Sequence, residues 1–109
     1  MNSSYYQNQI NRLEKDIADL QKKIADENKK EIDKNKQIDS VHRTINKNTS
    51  ISTLNSKQRQ IGGYQKDILN CRTKIASYQK SIATKSAELG KKKARVAKST
   101  TKRTKETAR

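Results

Sequence analysis

The sequence predicts an all-α protein, an antiparallel two-helix coiled-coil hairpin that assembles into a helical bundle. Three observations predict it. Leu54, Ile61, Ile68, Ile75, Ile82, Leu89 and Val96 recur at every seventh position, which keeps them on one slowly winding helical stripe that another helix must cover. Tyr6, Ile10, Leu13, Ile17, Leu20 and Ile24 alternate in steps of four and three, and the same phase returns at Ile38, Val41 and Ile45. Between the two rows, Asn46 to Ser52 is a cluster of short polar and β-branched residues that compete with helix for backbone hydrogen bonds.

The first arm is expected as a helix over about 5–47, opened by Asn2, Ser3 or Ser4 as a cap. Its stripe turns polar at Glu27, Glu31 and Lys34, which costs stability and can fix partner and register. Asp19 with Lys23 and Asp26 with Lys30 are i,i+4 pairs in the favourable order, each adding about 0.2–0.5 kcal/mol.

The turn is placed at about 48–53 and the second helix at about 54–97, with Ser50, Ser52 or Thr53 as its cap. Each arm would run ~65 Å if fully helical. Folding the chain about Ile51 sets Val41 opposite Ile61, Ile38 opposite Tyr64, Ile24 opposite Tyr78, Leu20 opposite Ile82 and Leu13 opposite Leu89. Glu27, Glu31 and Lys34 then face Ile75, Cys71 and Ile68, an expected weak centre. Lys57, Lys85 and Lys92 also fall on the stripe, where their stems can lie on apolar surface with the ammonium groups in water. Gly62 and Gly63 each cost the helix roughly 1 kcal/mol relative to Ala, and either kink the second arm or only weaken it near its start. Gly90 is expected to mark the end of packing. Residues 1–97 thus form the hairpin and 98–109 a basic flexible tail.

The candidate self-association seam comprises Ile10, Leu13, Ile17, Leu20, Ile24, Ile38, Val41, Ile45, Leu54, Ile61, Tyr64, Ile68, Cys71, Ile75, Tyr78, Ile82 and Leu89. A second face lies at the neighbouring heptad position: Ala18, Ala25, Ile32, Leu69, Ala76 and Ala83. Small residues there would let another hairpin approach closely, and a two-helix hairpin with a half-polar seam buries little surface alone. Self-association is therefore expected.

Composition narrows the chemistry. With 109 residues, no Pro and four aromatics, the chain is too poor in large apolar groups for a conventional globular core. No apolar run is long enough for a membrane span and Met1 to Asn11 lacks the pattern of a signal peptide, so a cytoplasmic location is expected. The lone Cys71 excludes an intrachain disulfide, and the lone His42 reads as a solvated surface residue. No phosphate-binding glycine loop, zinc-binding H-E-x-x-H or nucleophile elbow occurs, and Glu27, Glu31 and Asp33 lack the His partners of a di-metal bundle. The expectation is a non-enzyme without metal or cofactor.

The charge is lopsided. Residues 1–50 carry ten Lys/Arg against eight Asp/Glu, and residues 51–109 carry sixteen against three. A phosphate-binding role falls to Lys91, Lys92, Lys93, Arg95, Lys98, Lys102, Arg103, Lys105 and Arg109, which would give salt-sensitive, sequence-indifferent nucleic-acid binding without aromatic stacking. The competing reading makes this tail a solvated linker.

The stretches SSYYQNQINRLEKDIADLQKKIADENKKEIDKNKQI, NTSISTLNSKQRQI and YQKDILNCRTKIASYQKSIATKSAEL resemble the N-terminal coiled-coil region that precedes TIR domains, and some other effector domains, in bacterial proteins. The resemblance covers about residues 3–97, and the non-periodic TSISTLNSK is its most telling part. It implies a module that assembles or positions a downstream enzyme, for TIR domains an NAD-cleaving one, often in defence against phage. The 109 residues contain no TIR domain and none of its catalytic residues, so the resemblance assigns any enzymatic work to a partner domain and makes the basic tail a linker.

Overall fold

The computed structural model describes residues 3–107, with side chains over 4–98. The protein is an all-α helical hairpin of two helices, α1 (Ser3–Arg43) and α2 (Ile51–Thr107), packed against each other. No strand and no positive φ occurs among the described residues.

Every position of the two heptad rows is covered, from Tyr6 to Val41 on α1 with Ile45 just beyond it, and from Leu54 to Val96 on α2. Polar members of the rows are covered with the aliphatic ones. The burial is shallow, because one helix can shield only one side of another: Ile10, Leu13, Ile61, Ile68, Cys71 and Glu27 are buried, and the remaining row positions are half-buried.

By contact density the chain divides into two compact units, Lys23–Ser77 and the pair of segments Met1–Lys22 and Tyr78–Arg109. The first contains the turn. There α1 ends at Arg43, earlier than the expected 47, because Thr44 turns back on the last helical carbonyls. Its N–H and hydroxyl both donate to Val41 O, at 3.0 and 2.6 Å. Lys57 Nζ then reaches from α2 to Thr44 O at 3.1 Å and to its hydroxyl at 2.6 Å, occupying the carbonyl end of α1. Asn46 organises the middle of the turn, with Asn48 N–H donating to its Oδ1 at 2.8 Å and its own N–H donating to Thr49 Oγ1 at 2.9 Å.

Of the three capping candidates the structure selects Ser50. Thr53 N–H donates to Ser50 Oγ at 3.2 Å and Leu54 N–H to Ser50 O at 2.8 Å. The second helix consequently begins at Ile51, and the turn is 44–50 rather than 48–53.

Within Lys23–Ser77, Lys34 lies over the Tyr64 ring at 5.4 Å and pairs with Asp67 at 3.3 Å, while Glu27 meets Cys71 and pairs with Lys74 at 3.9 Å. Each α1 side chain thus inserts between two α2 side chains one turn apart. A step of seven along α1 is a step of seven back along α2, as an antiparallel pair requires.

The other unit repeats this offset. Tyr6 lies under Lys92 at 5.9 Å and Arg95 at 5.8 Å, above the buried Ile10 and Leu13. Lys85 pairs with Asp16 at 3.5 Å and Lys93 with Glu14 at 3.6 Å.

Two expectations for α2 are corrected. Gly90 does not end packing, since Lys92, Lys93 and Arg95 beyond it still engage α1. Of the expected flexible tail at 98–109, residues 98–107 continue α2 as helix, with no Gly or Pro after Gly90 to break it, and 108 and 109 lie outside the described residues. The second helix passes through Gly62 and Gly63 without a break, with open space where a Cβ would stand at each.

Candidate functional site

Two surfaces in the Lys23–Ser77 unit hold most of the residues singled out by sequence. The first is the polar centre of the seam. Lys30 Nζ donates to Glu27 Oε1 at 3.3 Å and Lys74 approaches the same oxygen. No N–H or O–H donor reaches the buried Oε2, and the Cys71 thiol beside the carboxylate is the weak donor there. That thiol, then Lys30 and Lys74, hold the Glu27 carboxyl below its usual range, although burial acts the other way. Burial first, and the Glu27 carboxylate second, push the Cys71 thiol up. Glu31 pairs with Arg72 Nε, and a groove of about 480 Å³ opens beside Glu27 and Cys71, lined by Lys30, Asp33, Lys34, Asp67 and Lys74 among others.

The expected weak centre is thus an ion-paired one. Glu27 is only 6% exposed, more covered than most of the aliphatic seam. Lys30 pairs with Glu27 one turn back, and its expected pairing with Asp26 is absent. The signal for a closed centre lay in the oppositely charged partners at neighbouring positions of α2: Asp67 for Lys34, and Arg72 and Lys74 for Glu31 and Glu27.

The Cys71 thiol is covered and its pKa raised, and His42 is exposed in the last turn of α1. Among the described residues no three His, Cys, Asp or Glu side chains converge as metal ligands, and no helix is long and apolar enough to cross a membrane.

The second surface is the flank carrying Ala25, Ile32, Leu69 and Ala76, all exposed; Ile32 is 54% and Leu69 62% accessible. Asn28, Asn35 and Gln65 stand on its seam side with Arg72, which is paired with Glu31, while the exposed Lys29, Lys36, Lys66 and Lys80 border its outer side. A groove of about 400 Å³ runs here, lined by Asn35, Ile38, Gln65, Ile68, Leu69 and Arg72, so the sides of two seam isoleucines look onto it. The amide residues beside the small ones, legible as a heptad repeat of Asn and Gln, are the feature that sequence reasoning missed. Ala18 and Ala83, in the other unit, are likewise exposed.

The basic residues of the C-terminal segment are partly engaged. Lys93 pairs with Glu14, and Lys92 and Arg95 lie on Tyr6, leaving Lys91 and Lys98 exposed with no ion pair among the described residues. Arg109 lies outside the described residues, as do the side chains of Lys102, Arg103 and Lys105.

No family model matches the chain, and no solved structure matches it.

Proposed function

We propose that the chain is a non-enzymatic oligomerisation and scaffold module, the assembly region of a bacterial defence or signalling effector, working in the cytoplasm. The observation that carries this reading is the flank of Ala25, Ile32, Leu69 and Ala76, left open by a hairpin whose seam is otherwise covered. A chain of net charge +15 repels its own copies, whereas the groove on this flank is lined by no charge except Arg72, which is paired with Glu31. A second hairpin seated there would bury Ile32 and Leu69 and close the exposed sides of Ile38 and Ile68, giving a coiled-coil bundle. The resemblance to coiled coils that precede TIR and other effector domains supports the same role, with catalysis supplied by the partner domain.

Light scattering on the Ile32→Lys/Leu69→Lys variant tests it. The variant should keep its helicity and lose assembly. An assembly of unchanged mass would remove the flank from the account.

A second reading is a small nucleic-acid-binding protein acting through its C-terminal segment. The excess of sixteen Lys/Arg over three Asp/Glu in residues 51–109, with Lys91 and Lys98 exposed, favours it. Truncation after Gly90 separates the two, since the first reading keeps assembly in the truncated chain and the second loses nucleic-acid binding.

A further inference from the structure

The distribution of carboxylates marks a surface that the C-terminal segment does not explain. From Ser40 to Lys66, around the turn, the chain contains no Asp or Glu, yet it holds Arg43, Lys47, Lys57, Arg59 and Lys66. Elsewhere four of the eight acids of α1 pair with bases of α2: Glu14 with Lys93, Asp16 with Lys85, Glu27 with Lys74 and Glu31 with Arg72. At the turn only Lys57 is used internally, on Thr44. Arg43, Lys47, Arg59 and Lys66 are exposed and make no ion pair among the described residues; Arg43 does not pair even with Asp39 one turn before it.

We infer that the turn end of the hairpin is a contact surface for the phosphate backbone of duplex nucleic acid. Arg43 sits in the last turn of α1, Lys47 in the turn itself, and Arg59 about 12 Å along α2 from its start, so three uncommitted cations lie within about two helical turns of the tip. Exposed Asn48, Ser52, Asn55 and Gln58 stand among them, side chains of the kind that donate to phosphate and sugar oxygens.

The field at the tip is also one-signed. Internal donors, Lys57 above all, cover the carbonyl end of α1 and offset its partial negative charge. The tip carries no exposed aromatic, so stacking on single-stranded bases is not part of the contact. Ile51, 78% exposed, is the one large apolar side chain there, too little to anchor the tip in a lipid surface. Binding is therefore to phosphates, indifferent to sequence and steep in salt.

The test is fluorescence anisotropy of a short mixed-sequence DNA duplex with the full chain, between about 50 and about 200 mM salt. The Arg43→Gln/Lys47→Gln/Arg59→Gln variant should bind at least about tenfold more weakly at the lower salt. Its log–log salt slope should fall by about 2–3, at roughly 0.9 for each phosphate no longer neutralised.

The control is Lys15→Gln/Lys22→Gln/Lys29→Gln, which removes the same charge from a stretch interspersed with Asp16, Asp19, Asp26 and Asp33. It should change affinity less than about twofold. Should the triple tip variant lose helicity, Lys47→Gln alone, outside both helices, should still lower the slope by about 0.9. Equal losses in the two triple variants would reduce the effect to net charge and overturn the inference. So would unchanged binding by the tip variant, or a loss confined to phosphatidylserine vesicles.

Discussion

Ile68 and Leu69 are chain neighbours of equal size with opposite surroundings, 7% and 62% exposed, and alanine at each separates the hairpin's own cohesion from its capacity to assemble. Ile68→Ala removes three carbons from the seam, worth about 0.8 kcal/mol each when buried, or about 2.4 kcal/mol. A residual cavity raises this, and alanine's better helix propensity offsets a few tenths, leaving about 2–3 kcal/mol. For Leu69 only about two-fifths of the side chain is covered within one hairpin. The same arithmetic gives about 1 kcal/mol before the propensity gain and about 0.7 kcal/mol after it.

Urea titration followed by circular dichroism at low protein concentration measures both. Should Ile68→Ala leave too little folded chain, Ile68→Val is the milder form, at about 0.5–1.5 kcal/mol. Equal destabilisation by Ile68→Ala and Leu69→Ala would refute the register. At high concentration the order changes, because Leu69→Ala should then raise the dissociation constant of the assembly.

The turn supplies a second prediction: Ser50→Ala removes the acceptor for Thr53 N–H and should cost about 1 kcal/mol in the same titration, while Ser52→Ala should cost a fraction of that. Gly62→Ala or Gly63→Ala meets open space in a continuous helix and should stabilise by about 0.8–1 kcal/mol; a loss of stability would show that the pair serves as a hinge. Glu27 supplies the pH dependence. With its folded value held below the ordinary 4.5, the carboxylate stabilises the hairpin above that pH, and the contribution is lost as pH falls through the lowered value. Acid titration of helicity should show wild type losing stability below about pH 4.5 and Glu27→Gln losing less over the same window.

The hairpin was legible because heptad spacing is a geometric constraint: any helix with Leu54 to Val96 on one stripe must be covered along its length, and the antiparallel register is set by where the periodicity stops. The turn was legible in composition but not to the residue. Ser50, Ser52 and Thr53 are chemically equivalent caps until the path of the chain selects one, and the early end of α1 depends on Lys57, thirteen positions from its acceptor Thr44.

The centre was legible as polar at Glu27, Glu31 and Lys34 but not as ion-paired, because the cover of Glu27 comes from Lys74 and Cys71, which are adjacent only after folding. The C-terminal segment was read as flexible from its lack of apolar residues, whereas Tyr6 and Glu14 give Lys92, Arg95 and Lys93 a polar reason to pack.

Sedimentation equilibrium of the full chain, freed of nucleic acid, at low and high salt tests the central claim most directly. Assembly through the flank of Ile32 and Leu69 predicts a dimer or tetramer that persists or tightens as salt screens the +15 charge. A chain that stays monomeric at both salts, and gathers only when DNA or RNA is added, would contradict it.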